Sequence, residues 1–272
     1  KMRITYRWKN NKEYWTKRWD NIPPDYSMEN PNVYPLKFAE LTIQSKAGKI
    51  LEAGCGAGRI LRYYADKGYD IVGIDFIDGA IKKLKKTDPS LNVETGNITD
   101  LKYNDKSFKY VLAFGLYHNL HHDLDKAIKE TIRILESGGK VCASFRADNL
   151  QTLLTDWLTE YRTRKDGIKT LPEEFHKMNL TQSEFVSLFK KAGLEVEAVY
   201  PVENMPVFYK FSFFRSKKHK IFNEQIGRKD GYELSTLGKI LQRVLMRFFP
   251  RHFCNIFVLI ARKLENKKQV SS

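Results

Sequence analysis

Between Lys49 and Asp75 the chain makes a short apolar run, Lys49-Ile-Leu-Glu-Ala53, and then the loop Gly54-Cys-Gly-Ala-Gly58. A helical stretch follows from Arg59 to Asp66, and a second apolar run from Tyr69 to Asp75. Three glycines two apart, directly after a strand, constrain the fold more than any other feature. They let the backbone turn sharply and come close to a ligand that a Cβ would obstruct. In an open parallel sheet such a loop lies beyond the carboxyl ends of the strands, where ligands bind. Asp75 closes the second run, 21 residues after Gly54, which places a carboxylate to accept both hydroxyls of a ribose.

The same alternation continues. Asp78 to Lys86 reads as a helix with an acidic start and a basic last turn, which suits its dipole. Leu91–Thr95 and Phe108–Phe114 read as strands. Leu124, Ala127, Ile128, Thr131, Ile132 and Leu135 recur at helical spacing, with Gly138-Gly139 as the expected stop. Lys140–Phe145 is a fifth strand. Thr181-Gln-Ser-Glu184 is a capping box opening a helix over Phe185–Ala192. Leu194–Tyr200 and Phe253–Ala261 complete the strands. Repeated strand–helix alternation predicts an α/β chain with a mostly parallel sheet and helices on both faces.

Composition sets the class of partner. Lys and Arg outnumber Asp and Glu by 47 to 32, a formal net charge of +15. That suggests an anionic partner such as a phosphorylated small molecule, a nucleic acid or an acidic membrane surface. The three cysteines, Cys55, Cys142 and Cys254, are scattered, without metal-ligand or disulfide spacing, so neither a metal site nor a disulfide frame is expected. Residues 1–15 show no apolar leader, and no segment reaches the roughly 18 apolar residues of a spanning helix. A cytoplasmic location, with a peripheral membrane contact left open, fits this reading.

The spacing at the loop is G-x-G-x-G, with Glu52 just ahead and Arg59 where a dinucleotide fingerprint would carry glycine. A nicotinamide dehydrogenase is therefore the weaker reading. LEAGCGAGR, GIDFIDGAIKKLKK, ETGNITDLKYNDKSFKYVLAFGLYHNLHH and RILESGGKVCASF follow in an order that resembles the class I S-adenosylmethionine-dependent methyltransferases, specifically the type 11 methyltransferase domain. The resemblance implies a Rossmann-like sheet with its last strand antiparallel. It implies S-adenosyl-L-methionine as cofactor and S-adenosyl-L-homocysteine as product. It also implies a site: Glu52, Ala53, Gly54, Cys55, Gly56 and Gly58 around the methionine part and Asp75 on the ribose. Phe76 would lie on the adenine face. Asn97 stands where the family carries an acid against the adenine amine; its amide oxygen can still accept one hydrogen bond. Ile98 would offer a backbone amide, and Phe114 and Gly115 would lie under the sulfonium. No metal is expected.

Methyl transfer asks chiefly for an acceptor held in line behind the sulfonium methyl, plus a base where the acceptor must lose a proton. His118 is the first candidate for base or acceptor-positioner, with Tyr117 the second contact; a histidine here can also simply pack locally. His121 and His122 are expected to cap the next helix or face water.

The fold core is expected at about 47–148, 181–203 and 253–263, in a single domain. The aromatic-rich segment 1–46 and the inserts 149–180 and 204–252 would build helical cap insertions over an acceptor pocket. From Tyr200 onward there are 15 Lys and Arg against 5 Asp and Glu. Within the second insert Leu237, Ile240, Leu241, Val244, Leu245, Phe248 and Phe249 form one helical face, with Lys239, Arg243 and Arg247 opposite. Such a helix packs its apolar face on the domain or lies on an anionic membrane, and the first is the default expectation. The reading is an S-adenosylmethionine-dependent methyltransferase acting on a small or medium-sized acceptor, oxygen first and nitrogen second, phosphorylated or lipid- or glycan-linked. An RNA-modifying enzyme and a non-catalytic cofactor-binding or membrane-associated scaffold are the alternatives. The sequence leaves the oligomeric state open.

Overall fold

The computed structural model describes residues 2–7, 10–24, 27–165, 173–221 and 232–265, with side chains left out at 162–165. Parts of the segment 1–46 and of the two inserts, including 166–172 and 222–231, lie outside the described residues. The strands are β1 (Arg3–Arg7), β2 (Ile50–Ala53), β3 (Ile71–Asp75), β4 (Val93–Thr95), β5 (Phe108–Ala113), β6 (Leu135–Arg146), β7 (Glu174–Asn179), β8 (Leu194–Val202) and β9 (Ile256–Lys263). The helices are α1 (Asn11–Asp20), α2 (Leu36–Thr42), α3 (Arg59–Asp66), α4 (Asp78–Thr87), α5 (Leu124–Ile134), α6 (Leu150–Lys165), α7 (Gln182–Lys191), α8 (Thr236–Phe248) and α9 (Pro250–Phe253).

Seven strands form one sheet in the order β4-β3-β2-β5-β6-β9-β8, mostly parallel, with the last strand in chain order running antiparallel. The central register pairs Leu51 with Val72 on one side and with Val111 on the other. Near-continuous burial of β2, β3 and β5 fits strands covered on both faces. The helices supply that cover. α3 buries Ile60, Leu61, Tyr63 and Tyr64, and α5 buries Leu124, Ala127, Ile128, Thr131 and Ile134. The capping box at α7 is present: Thr181 Oγ1 accepts from Glu184 N at 3.3 Å, and Thr181 N donates to the Glu184 carboxylate at 2.9 Å.

Three expectations are corrected. First, Gly138-Gly139 does not end α5; the helix stops at Ile134, and β6 already begins at Leu135. The register with β5 shifts between Phe108 and Tyr110, and Gly138, at φ +74°, sits in the irregular stretch. At Gly139 a Cβ would press on the backbone carbonyls of Lys109 and Glu136, so the pair serves a strand distortion rather than a helix cap. Second, the end of the first insert is a strand. β7 pairs antiparallel with β1, Ile4 opposite Met178, in a separate two-stranded sheet. Third, the apolar face of α8 does not pack inward. Gly238 and Gln242 are its buried residues and Leu241 and Leu245 are half-buried, while Leu237, Ile240, Val244, Phe248 and Phe249 are exposed. The reason is close approach: a Cβ on Gly238 would meet the Phe214 carbonyl, so the helix sits down on its smallest residue.

The chain divides into two compact units, Lys1–Arg146 with Pro172–Val199 and Val258–Ser272, and Ala147–Leu171 with Tyr200–Phe257. The first holds the glycine loop, the N-terminal elements and β7. In the second, α9 packs against both α6 and α8.

Candidate functional site

The site grows from the carboxyl ends of β2, β3 and β5. Gly54, Gly56 and Gly58 all take left-handed backbone angles, φ +74°, +53° and +71°, which side-chain-bearing residues rarely adopt. The loop is then pinned to β3: Gly54 N and Cys55 N both donate to the Ile74 carbonyl, at 2.8 and 2.9 Å. Asp75 completes the tie. Its two oxygens accept from Gly56 N and Ile77 N, each at 2.9 Å, so one carboxylate fastens the glycine loop and the start of α4 together. Burial raises the Asp75 pKa, against the pull of the Ile77, Gly56 and Phe76 amides.

Glu52 lies one strand over and is buried in β2. Burial pushes its pKa up to about 8, opposed by the Leu61 N–H and the Arg59 charge and helped by Asp75. Its Oε2 is buried without a hydrogen-bond partner. A buried, partnerless carboxyl oxygen beside a loop of bare backbone is costly unless a ligand supplies the missing donor or cation. Cys55 is buried as well, and burial together with Glu52 and Asp75 drives its thiol well above the usual range, which leaves it inert as a nucleophile. Ala53 is buried and paired with Ile74.

The remaining predicted contacts lie on neighbouring strand ends. Phe76 follows Asp75 and is 44% exposed, so its ring is free to meet a ligand. Asn97 turns the chain after β4, its Oδ1 accepting from Thr99 N at 3.0 Å; Ile98 is buried beside it. Phe114 follows β5, its ring edge-on to Tyr34 with centroids 5.8 Å apart. Gly115, at φ +71°, donates to Ser144 Oγ at 2.8 Å, and Ser144 in turn pairs with the Tyr34 hydroxyl at 2.9 Å.

The turn of 3-10 helix at Tyr117–Asn119 sorts the two catalytic candidates. Tyr117 is fully buried under α5, its hydroxyl paired with Thr131 Oγ1 at 2.7 Å, its ring against Phe189. That takes Tyr117 out of the acceptor-contacting set: it anchors the turn from below. His118 stands beside Gly115, edge-on to Phe145 at 5.9 Å, with its Nδ1 buried and partnerless. Burial first, then the charges of Arg146 and Lys177 and nearby His176, hold its pKa well below the ordinary histidine range. His121 stacks on Phe175 of β7 at 4.6 Å rather than capping α5, whose N-terminus at Asp123 has no side-chain cap, and His122 is exposed. Among the described residues no three His, Cys, Asp or Glu side chains group as metal ligands.

Several site residues escaped the sequence reading. Trp19 of α1 lies against the glycine loop so closely that a Cβ on Gly56 would clash with its ring. α1 is held there by Lys83 of α4, whose Nζ donates to the carbonyls of Trp19 and Asp20 at 3.0 and 2.7 Å. The aromatic richness of the N-terminal segment signals this role for Trp19 and Tyr34 only in general. Lys177 had no signal at all, because β7 was not foreseen as a strand.

Residues 51–143 match the family model of the methyltransferase domain. Among curated proteins, a demethylmenaquinone methyltransferase of Renibacterium salmoninarum is 30% identical over 154 residues, covering 53% of this chain and 64% of that protein. A "probable S-adenosylmethionine-dependent methyltransferase" of Mycolicibacterium smegmatis is 28% identical over 165 residues, covering 60% of this chain and 58% of that one. The chain thus spans less than two thirds of the length of either relative. A solved S-adenosylmethionine-dependent methyltransferase from Methanosarcina mazei shares the fold, with a TM-score of 0.56 at 20% identity over 86% of this chain and 99% of that one.

The crevice fits that cofactor. Glu52 offers an unmatched buried carboxyl oxygen to an ammonium, and the missing Cβ atoms of Gly54, Gly56 and Gly58 let Leu116, Trp19 and Leu84 close on the loop beside it. Asp75 accepts from the Gly56 and Ile77 amides and, with two lone pairs on each oxygen, keeps capacity for a hydroxyl. Residues 51–143 therefore belong to the class I S-adenosylmethionine-dependent methyltransferases, and S-adenosylmethionine is their cofactor.

Proposed function

We propose that this protein methylates a small, lipid-like acceptor through an acidic hydroxyl, with nitrogen acceptors second. The observation that carries the reading is the environment of His118. An imidazole held neutral by burial and by the Arg146 and Lys177 charges is a weak base. Proton transfer to a weak base is effective only from a hydroxyl that is itself acidic, a phenol or enol. The same two cations favour the acceptor anion left behind. Phe114 and Tyr34, both half-buried, add apolar surface around it. The name of the Renibacterium salmoninarum relative, a demethylmenaquinone methyltransferase, supports a lipid-like acceptor.

Bound S-adenosylmethionine supplies a methyl group already activated by its sulfonium. Glu52 holds the ammonium end, Asp75 the ribose hydroxyls, and Trp19 shields the loop from water. His118 would orient the acceptor hydroxyl, take its proton as the methyl group leaves the sulfonium sulfur for that oxygen and S-adenosylhomocysteine remains, and release the proton to solvent.

Labelled-methyl transfer to fractionated extracts tests this. Label is expected in the apolar lipid fraction, absent from RNA, and slowed about 10²–10⁴-fold in His118→Ala with cofactor affinity unchanged. Label confined to RNA would replace the reading with the RNA-modifying one; cofactor binding without label in any fraction would replace it with the scaffold.

A further inference from the structure

Two helices of the second unit carry large hydrophobic residues on exposed faces. On α8, Leu237, Ile240, Val244 and Phe248 recur at spacings of three and four, so they share one face, and Phe248 is 70% exposed. On α6, Leu150, Leu153, Leu154, Trp157 and Tyr161 do the same, and Trp157 is 58% exposed. Trp157 and Tyr161 stack at 5.9 Å. α9 packs against both helices. The side that α8 turns inward is Gly238 and Gln242. A helix that buries glycine and glutamine most deeply, with Leu241 and Leu245 half-buried, and leaves leucine, isoleucine, valine and phenylalanine exposed departs from the usual pattern of a soluble surface helix. Exposed contiguous apolar area of this kind marks an interaction site.

Charge selects the occupant. From Thr236 to Phe253 the sequence carries Lys239, Arg243, Arg247 and Arg251 and no acid. All four are exposed. Lys239, Arg243 and Arg247 recur at spacings of four, so they line one row, and that row flanks the apolar stripe instead of lying across the helix from it. Apolar side chains with a basic flank, and aromatic rings on the neighbouring helix, are what an interfacial helix presents to lipid. No described helix is long and apolar enough to cross a membrane, so the contact is with a surface.

The geometry points to an anionic bilayer surface as the occupant of the exposed apolar face of α8. The side chains of Leu237, Ile240, Val244 and Phe248 enter the acyl boundary while Arg243 and Arg247 meet lipid phosphates. This inference stands on the second unit alone and does not depend on the acceptor proposed above.

Vesicle flotation of the full chain tests it, using phosphatidylcholine vesicles with and without phosphatidylglycerol. The protein is expected to float with the anionic vesicles and to stay behind with the neutral ones. Arg243→Ser/Arg247→Ser is expected to weaken flotation about thirtyfold. Ile240→Ser/Phe248→Ser is expected to weaken it about tenfold or more, through lost apolar burial. Both pairs are exposed, so thermal unfolding and S-adenosylmethionine affinity stay as in the parent protein. Equal flotation of parent and variants, no flotation at all, or retention on single-stranded RNA with none on vesicles would each overturn the assignment.

Discussion

Glu52 is where burial and function oppose each other most directly. Its folded-state pKa of about 8 lies above the ordinary value of 4.5, so the folded protein holds a proton that the unfolded chain gives up. Stability is therefore full below pH 4.5 and is lost as pH rises toward 8. Glu52→Gln keeps the shape and removes the titration. It is expected to raise the stability of the cofactor-free protein by about 3 kcal/mol near pH 7, with little gain near pH 4.5. Calorimetry across that pH range measures the difference. The same substitution is expected to weaken S-adenosylmethionine binding, because only a carboxylate pairs with an ammonium. In the parent protein affinity should rise between about pH 6 and pH 8 as Glu52 gives up its proton to bind; in Glu52→Gln that rise should disappear. A parent protein with pH-independent affinity would remove Glu52 from the cofactor's ammonium.

At the scale of elements, α1 is the piece that lies against the glycine loop beyond the strand ends. Few of its contacts are apolar burial; none of its residues is fully covered. It depends on Trp19 against Gly56 and on the Lys83 clamp to its last carbonyls. A hydrogen bond from a charged donor contributes about 1.5–3 kcal/mol. Lys83→Met is thus expected to loosen α1 by that order, raising hydrogen exchange over residues 11–20 and speeding cofactor release about tenfold or more. Gly56→Ala is expected to do worse, since the added methyl both strains a left-handed residue and displaces Trp19. Unchanged exchange in Lys83→Met would mean that α1 is held by its other contacts to α4 and β7.

Across the whole molecule the excess of positive charge sets a background that every binding assay will meet. A net charge of +15 attracts any polyanion, nucleic acid included. Such binding is expected without sequence preference and to fall about a thousandfold between 50 and 200 mM salt, as counterion release requires. Filter binding with homopolymeric and structured RNA measures it. A tight, salt-resistant RNA complex would instead favour the RNA-modifying reading.

Much of the core was legible because its signals are local. Gly54, Gly56 and Gly58 followed by Asp75 specify a strand, a tight turn, a helix and a second strand through backbone angles and period alone, and α3 begins and ends where the spacing predicts. Thr181 and Glu184 announce α7 by a contact spanning three residues. What stayed hidden depends on long-range pairing. β1 and β7 meet across 167 to 176 residues of chain, so neither short run reads as a strand by itself. Tyr117 and His118 are adjacent and look alike as candidates, yet the fold buries one hydroxyl on Thr131 and sets the other ring beside Gly115. The periodicity of α8 fixed which residues share a face, but a helical period carries no direction. Only the close approach of Gly238 to Phe214 decided that this face points outward.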